Sequence, residues 1–356
     1  MTAVDYKREL KDLIDIVVAE NGSDLHFSVG SHPIIRAAGS LIPLVKKPIL
    51  TDQDVEGFVK VLMSKDKYAE FVESFEADFS YAHADGIRFR GNAFFQNSSM
   101  AVALRLIPGK IRSIEELGLP PILESFVERP QGFFLCVGPV GQGKSTTLAA
   151  MVEHINENRA DHIVTIEDPV EYIYDPKKSL IDQREIGVDS KSFEAALNSA
   201  FRQDVDVILV GEMRNPATIS TAVTAAETGH LVLSTLHTNN AAQTIDRIID
   251  SFPSGQQDQI RIQLAGSLAG IFSQRLIPRI SGGLIPTYEL LINNSAVSNL
   301  IREGRTHEIQ TLIETGLELG MIDMNRSLVD LVKKGEITVE NAFAYSTNPK
   351  GLERLI

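Results

Sequence analysis

Gly138-Pro139-Val140-Gly141-Gln142-Gly143-Lys144-Ser145 is the stretch on which the reading of this chain turns. It fits G-x-x-x-x-G-K-[ST], and it stands in the context that pattern needs, with the apolar run 132–137 before it and helix-forming residues 147–156 after it. Glycines let a backbone wrap closely and aim its N–H groups at phosphate oxygens, while the following helix N-terminus adds partial positive charge. Residues Gly138 to Thr146 therefore read as a nucleotide cradle, with ATP as the expected ligand. Lys144 is placed to contact the β and γ phosphates, and the Ser145 hydroxyl is a hard oxygen ligand suited to Mg²⁺.

Working outward, short apolar runs at 132–137, 163–166, 207–210 and 231–236 alternate with helical pattern. Uniformly apolar strands of this kind imply a parallel sheet covered on both faces, and such sheets bind ligands at the carboxyl ends of their strands. Gly211-Glu212 follows one of these runs, which makes Glu212 the expected general base for a water attacking the γ-phosphate. Gly211 stands where an aspartate is usual, so metal ligation is left to Ser145, phosphate oxygens and water. Thr165-Ile166-Glu167-Asp168-Pro169-Val170-Glu171 ends a second run, with Glu167 and Glu171 within reach of the magnesium or its waters. His230 and His237 bracket the run 231–236; His237, at its C-terminal end, is expected near the γ-phosphate, and His230 at the opposite edge.

The first hundred residues have another texture. Apolar spacing predicts a helix over 5–19, Thr51 can cap a helix over 51–63, and a further helix covers 65–75. Strands are expected at 24–29, 33–45 with a break at Ala38-Gly39-Ser40, 78–83, 87–96 and 100–107, with Asp85-Gly86 as a hairpin signal. This is a small α+β domain over 1–107 with an antiparallel sheet. Pro108-Gly109 and Leu119-Pro120-Pro121 bracket a short helical stretch, so 108–130 reads as a linker, 118–121 as its hinge, and 131–356 as the nucleotide-binding domain.

Composition narrows the class. The chain has 356 residues, enough for roughly two domains of about 150. No segment reaches the roughly 18 consecutive apolar residues of a membrane span, so no transmembrane segment is expected and any membrane role is peripheral. A lone cysteine, Cys136, excludes an internal disulfide or a Cys-rich zinc site. No signal peptide is visible, and the chain reads as cytoplasmic. A net charge of −13, with no tryptophan, argues against a nucleic-acid partner.

Together these motifs resemble the type IV pilus retraction ATPases, the PilT/PilU family of the secretion-type motor superfamily. The resemblance takes in Gly22-Ser23-Asp24-Leu25-His26, the phosphate loop, 165–171 as an Asp box and Gly211-Glu212-Met213-Arg214 as an atypical Walker B. It continues through Ala226-Glu227-Thr228-Gly229-His230 to Leu236-His237-Thr238-Asn239 as a His box, and reaches Asn299-Leu300-Ile301-Arg302-Glu303 near the end. It implies a PAS-like N-terminal domain, a RecA-like P-loop NTPase domain with a mainly parallel central sheet, and a homohexamer with ATP bound between subunits. It also implies that Arg90 and Arg105 approach the nucleotide. Partners implied are an inner-membrane pilus platform protein and a paralogous retraction ATPase, with the motor peripherally attached at the pilus base. Two departures stand out: Asn97-Ser98-Ser99 lacks the arginine many members carry after the glutamine matching Gln96, and Ala296-Val297-Ser298 replaces Ala-Ile-Arg. The pilus assembly and type II secretion ATPases share the boxes but add an N-terminal domain and a four-cysteine zinc loop. A RecA-type nucleic-acid motor is disfavoured by the acidic balance, and a noncatalytic scaffold by the presence of both Lys144 and Glu212.

Overall fold

A computed structural model describes residues 5–37, 39–83, 86–107, 109–213 and 215–356; Ala38, Asp85, Pro108 and Arg214, quoted above, lie outside them. The chain divides into two units, Met1–Lys110 with Glu171–Ile173, and Ile111–Val170 with Tyr174–Ile356.

In the first unit α1 (Tyr6–Ala19) is capped by Asp5, which accepts from Arg8 N, and turns Leu10, Leu13, Ile14 and Val17 inward. Strands β1 (Gly22–Ser28), β2 (Ile34–Ala37) and β3 (Ser40–Pro43) follow, the last two forming the expected broken run. Thr51 and Asp54 cap α2 (Asp52–Leu62) reciprocally, satisfying two N–H groups that a helix start leaves open. Then come α3 (Lys65–Ser74), β4 (Glu76–Ala82), β5 (Arg88–Gln96) and β6 (Ser99–Ile107). Among the described residues these strands form one sheet in the order β3-β2-β1-β6-β5-β4, antiparallel at every pairing. One face packs on α1 and α2, where Phe27 stacks on Phe58 with ring centroids 4.6 Å apart.

The same sheet carries a row of charge. Arg36 pairs with Asp24, Asp24 with Arg105, and Arg105 with Arg90, so four charged side chains from β2, β1, β6 and β5 share one level of one face. Arg105 Nε donates to Asp24 Oδ1 at 3.0 Å and Arg36 Nε lies 3.7 Å from Asp24 Oδ2. Asn97 and Ser98 both take positive φ (47° and 66°) and make the two-residue turn between β5 and β6.

The second unit begins earlier than expected. Most of the expected linker, 111–130, belongs to it, because Ile114, Leu119, Leu123, Phe126 and Val127 are buried. The expected short helix is a closed turn held by Leu119 N donating to Ile114 O, and α4 (Glu124–Val127) comes only afterwards. Next are β7 (Gly132–Val137), α5 (Lys144–Asn158), β8 (His162–Glu167), β9 (Leu180–Glu185), α6 (Phe193–Ala200), β10 (Val207–Val210), α7 (Pro216–Glu227) and β11 (Leu231–Leu236). They are followed by α8 (Ala241–Asp250), α9 (Ser254–Ser267), β12 (Leu268–Pro278), β13 (Leu284–Ile292) and α10 (Ser295–Glu303). The chain closes with α11 (Ile309–Thr315), α12 (Met324–Lys333), α13 (Val339–Tyr345) and α14 (Pro349–Glu353).

The sheet order is β13-β12-β7-β11-β10-β8-β9, parallel throughout except at the β12–β13 edge. Every residue of β7, β10 and β11 is buried, as mainly apolar strands sandwiched between helices require. A smaller cluster joins Ile277 and Ile285 of the β12–β13 hairpin to Met324, Leu328 and Leu352. Ser298 is buried in α10 and donates to Ala265 O at 2.8 Å. Among the described residues no helix is long and apolar enough to cross a membrane.

Candidate functional site

Parallel pairing brings the chemistry to one edge. Val137 of β7 sits beside Leu236 of β11, so the phosphate loop and His237 leave the sheet next to each other, and Gly138 N donates to Leu236 O at 3.3 Å. From β11, Ser234 Oγ donates to Val210 O at 2.7 Å and Thr235 Oγ1 to Gly211 O at 2.6 Å, fixing the end of β10 from which Glu212 projects. Gly211 N donates to Ile166 O at 2.8 Å, which sets Glu167 beside it. A side chain at Gly211 would stand 3.3 Å from Ile166 O, so the aspartate usual there has little room.

The loop has the shape phosphate needs. Gly138 and Gly143 take φ of +147° and +80°, and a Cβ on either would run into Gln274, at 2.4 Å from its carbonyl oxygen and 2.9 Å from Nε2. Gly143 caps α5, so the helix N-terminus opens directly onto the cradle. The residues present thus fit a nucleotide. Lys144 is buried, its Nζ donating to Gly138 O and Pro139 O, each at 2.9 Å, and lying 3.2 Å from His237 Nδ1. An ammonium group only donates, so His237 Nδ1 is its acceptor and the imidazole proton sits on Nε2, facing Glu212 Oε1 at 3.6 Å. Lysine, histidine and glutamate form one chain across three strand ends.

The other expected residues fall in different places. Glu167 is buried and its Oε1 accepts from Thr165 Oγ1 at 2.7 Å. Ser145 and Thr146 lie half-buried in the first turn of α5, and Val140 stands at the exposed tip of the loop beside Gly141. His230 is at the far end of β11, its Nδ1–H donating to Ala225 O at 3.0 Å and its ring meeting Phe201 edge-on. Arg90, Arg105 and Glu171 belong to the first unit, where Glu171 Oε1 is 3.9 Å from Arg90 Nη1.

Sequence reasoning missed Gln274 and Thr147. Gln274, on a strand absent from the expected set, donates from Nε2 to Gln142 O at 2.7 Å and accepts at Oε1 from Thr147 Oγ1 at 2.6 Å. The available signal was the polar pair Ser273-Gln274 directly after the apolar run 268–272, because a polar group inside a buried strand needs a partner. Also missed was Glu289 of β13, whose Oε1 accepts from Ala241 N at the start of α8 at 2.9 Å. Burial above all, helped by Asp323 and Glu314, pushes its carboxyl up to about 7 against that bond.

A phosphate loop on a mainly parallel sheet, with a lysine inside it and a glutamate at a neighbouring strand end, defines a RecA-like P-loop ATPase. The model of the type II/IV secretion system proteins matches residues 6–322, and the chain belongs to that family. It is 42% identical over 334 residues to the type IV pilus retraction ATPase PilT of Pseudomonas aeruginosa, covering 94% of this chain and 97% of that one. It is 39% identical over 350 residues to the type IV pilus ATPase PilU of the same organism, covering 98% and 91%. Among solved structures, that of the pilus retraction motor PilT with bound ADP superposes with a TM-score of 0.90 at 45% identity, covering 96% of this chain and 98% of that one.

Proposed function

We propose that the protein is an ATP-hydrolysing motor of type IV pilus retraction, acting as a homohexamer on an inner-membrane platform protein at the pilus base. The observation that carries the catalytic part is the Lys144–His237–Glu212 chain at the mouth of the phosphate loop. Lys144, held among loop carbonyls, is placed to exchange them for phosphate oxygens. Glu212 takes the proton of the attacking water, and His237, hydrogen-bonded to Lys144 and facing Glu212, orients the carboxylate. The Ser145 hydroxyl would hold magnesium, which would supply charge neutralisation at the transferring phosphoryl group. Glu167 would contribute a carboxylate toward the metal's coordination sphere, and Glu171 is proposed as a further acidic group of the reaction. Arg90 and Arg105 are read as the groups that reach nucleotide within the ring, since guanidinium is the side chain suited to phosphoryl charge. The pivot between nucleotide states falls near Lys110 and Ile111, where the two units divide, in preference to 118–121, which lies inside the second unit with Leu119 buried. Retraction itself rests on the similarity to PilT and PilU, and a paralogous ATPase is a candidate partner.

The test is Mg²⁺-dependent ATP hydrolysis measured against particle mass, with Glu212→Ala alongside. Turnover is expected in a particle near six times 39.1 kDa, falling about 10²- to 10⁴-fold in the variant while nucleotide affinity is retained. Unchanged turnover in Glu212→Ala would remove the general base from this account.

A further inference from the structure

The phosphate loop is held by β12 as well as by its own helix. Gln274, only 2% exposed, reaches it with both ends of its amide: Nε2 donates to Gln142 O in the loop, and Oε1 accepts from Thr147 in the first turn of α5. The partners fix which way the amide points, since a flip would set its oxygen against the Gln142 carbonyl. Gln142 returns the contact, its Oε1 accepting from Leu276 N at 2.7 Å. Two glutamines thus cross between loop and strand, each meeting the other's backbone or its near neighbour. The Gln274 carbonyl also lies where a Cβ on Gly138 would be, so β12 bears on the loop at its first residue, at Gln142, at Gly143 and, through Thr147, on the helix behind it.

Such a latch has a use that packing alone does not. A loop of four variable residues between two glycines has many conformations, and only one points its N–H groups inward. Ordering it before nucleotide arrives removes that entropy from the binding step. We propose that Gln274, with Gln142 as its counterpart, is a positioning residue that holds the phosphate loop in its nucleotide-ready shape. This rests on the proposed ATPase reading for its consequence, but the ordering itself is a property of the chain without ligand.

The decisive measurement is hydrogen exchange of the 140–143 amides in the nucleotide-free full chain, wild type against Gln274→Met, which keeps volume and removes both bonds. Exchange in the loop is expected to rise about tenfold or more, with the amides of β10 unchanged. Affinity for a fluorescent ATP analogue, measured in the Glu212→Ala background so that hydrolysis does not intrude, should fall on the order of 10-fold to 100-fold. Thr147→Val, which removes only the hydroxyl that fixes the amide, should move both readouts in the same direction by less, and serves if the methionine variant fails to fold.

Gln274→Glu adds a signature that a filler role would not move. Ionised, it keeps the Thr147 bond and repels the Gln142 carbonyl; protonated, it can donate to that carbonyl. Loop exchange corrected for pH should therefore fall toward wild type as pH drops in this variant and not in Gln274→Met. Wild-type exchange and affinity in Gln274→Met, or a rise shared equally by loop and β10, would overturn the proposal. A latch that behaves as described in a chain without ATP turnover would leave it standing and sink the ATPase reading instead.

Discussion

The two sheets of this chain place their polar chemistry in opposite ways. In the second unit β7, β10 and β11 are buried along their whole length, their mid-strand hydroxyls Ser234 and Thr235 tie strand to strand, and Lys144, Glu212 and His237 all lie just beyond strand ends. In the first unit alternate residues face outward, and Arg36, Asp24, Arg105 and Arg90 sit in mid-strand as a row across one face. The physical reason is coverage. A parallel sheet needs crossover helices on both faces, whereas an antiparallel one can leave a face open. A sheet of the first kind offers its edge to ligands, and one of the second kind can offer a surface.

The sharpest way to break that contrast is to test whether the parallel strands are as intolerant as their burial says. Ile208, fully buried in β10 between β8 and β11, has no exposed face to relax toward. Ile208→Ala should cost roughly 2–5 kcal/mol, from lost transfer energy and the cavity left behind. Chemical denaturation with the slope held fixed measures it, and a cost under about 1 kcal/mol would mean that the strand can collapse around the gap.

A buried carboxylate gives the next test, because Asp24 in the first unit and Glu289 in the second are handled differently. Asp24 is balanced by two arginines, but Glu289 is bonded by neutral groups, the Ala241 backbone N–H and the Gln310 side chain, and has two acidic neighbours, Asp323 and Glu314. With its folded value near 7 against an ordinary 4.5, its neutral form favours the fold. That contribution is fully present below about pH 4.5 and is lost as pH rises through about 7. Relative to Glu289→Gln, which stays neutral, the wild type should lose up to about 3 kcal/mol across this window. Denaturation midpoints of the two proteins at pH 5 and pH 8 decide it, and parallel pH profiles would show that the carboxyl does not titrate there.

The same coverage argument explains what could be read from the sequence. β7, β10 and β11 have the bounds expected, since short, mainly apolar runs separated by helical pattern suit doubly covered strands. The phosphate loop was legible because its glycines and Lys144 have no other use. β9, at the sheet edge, reads Leu-Ile-Asp-Gln-Arg-Glu, and two apolar residues followed by four polar ones do not mark a strand. β12 begins with Leu268 straight after α9, with no turn residue to divide them, which hid both the strand and Gln274. The Pro-rich stretch 108–130 looked like a linker because prolines and glycine punctuate it, yet its apolar residues find a buried place that composition does not reveal. The Arg36–Asp24–Arg105–Arg90 row was invisible as a row, because register across four strands is a long-range property.

That row supplies the smallest expected change in stability and the most direct test of surface against edge. Asp24→Asn keeps the size of the side chain and its contact with Ser23 Oγ, which donates to Asp24 Oδ2 at 2.7 Å. What it removes is the charge that gathers Arg36 and Arg105. The Arg105 side chain is 74% exposed and the Arg36 side chain 38%, so both can turn to water and the cost in stability should stay within about 1 kcal/mol. If the row exists to present guanidinium groups, its disturbance should instead appear in turnover, with ATP hydrolysis reduced severalfold while the thermal midpoint moves by only a few degrees. A large fall in the midpoint with turnover per folded protein unchanged would make the row a fastening of the first sheet. Asp24 would then resemble the buried hydroxyls Ser234 and Thr235, which tie one strand to its neighbour.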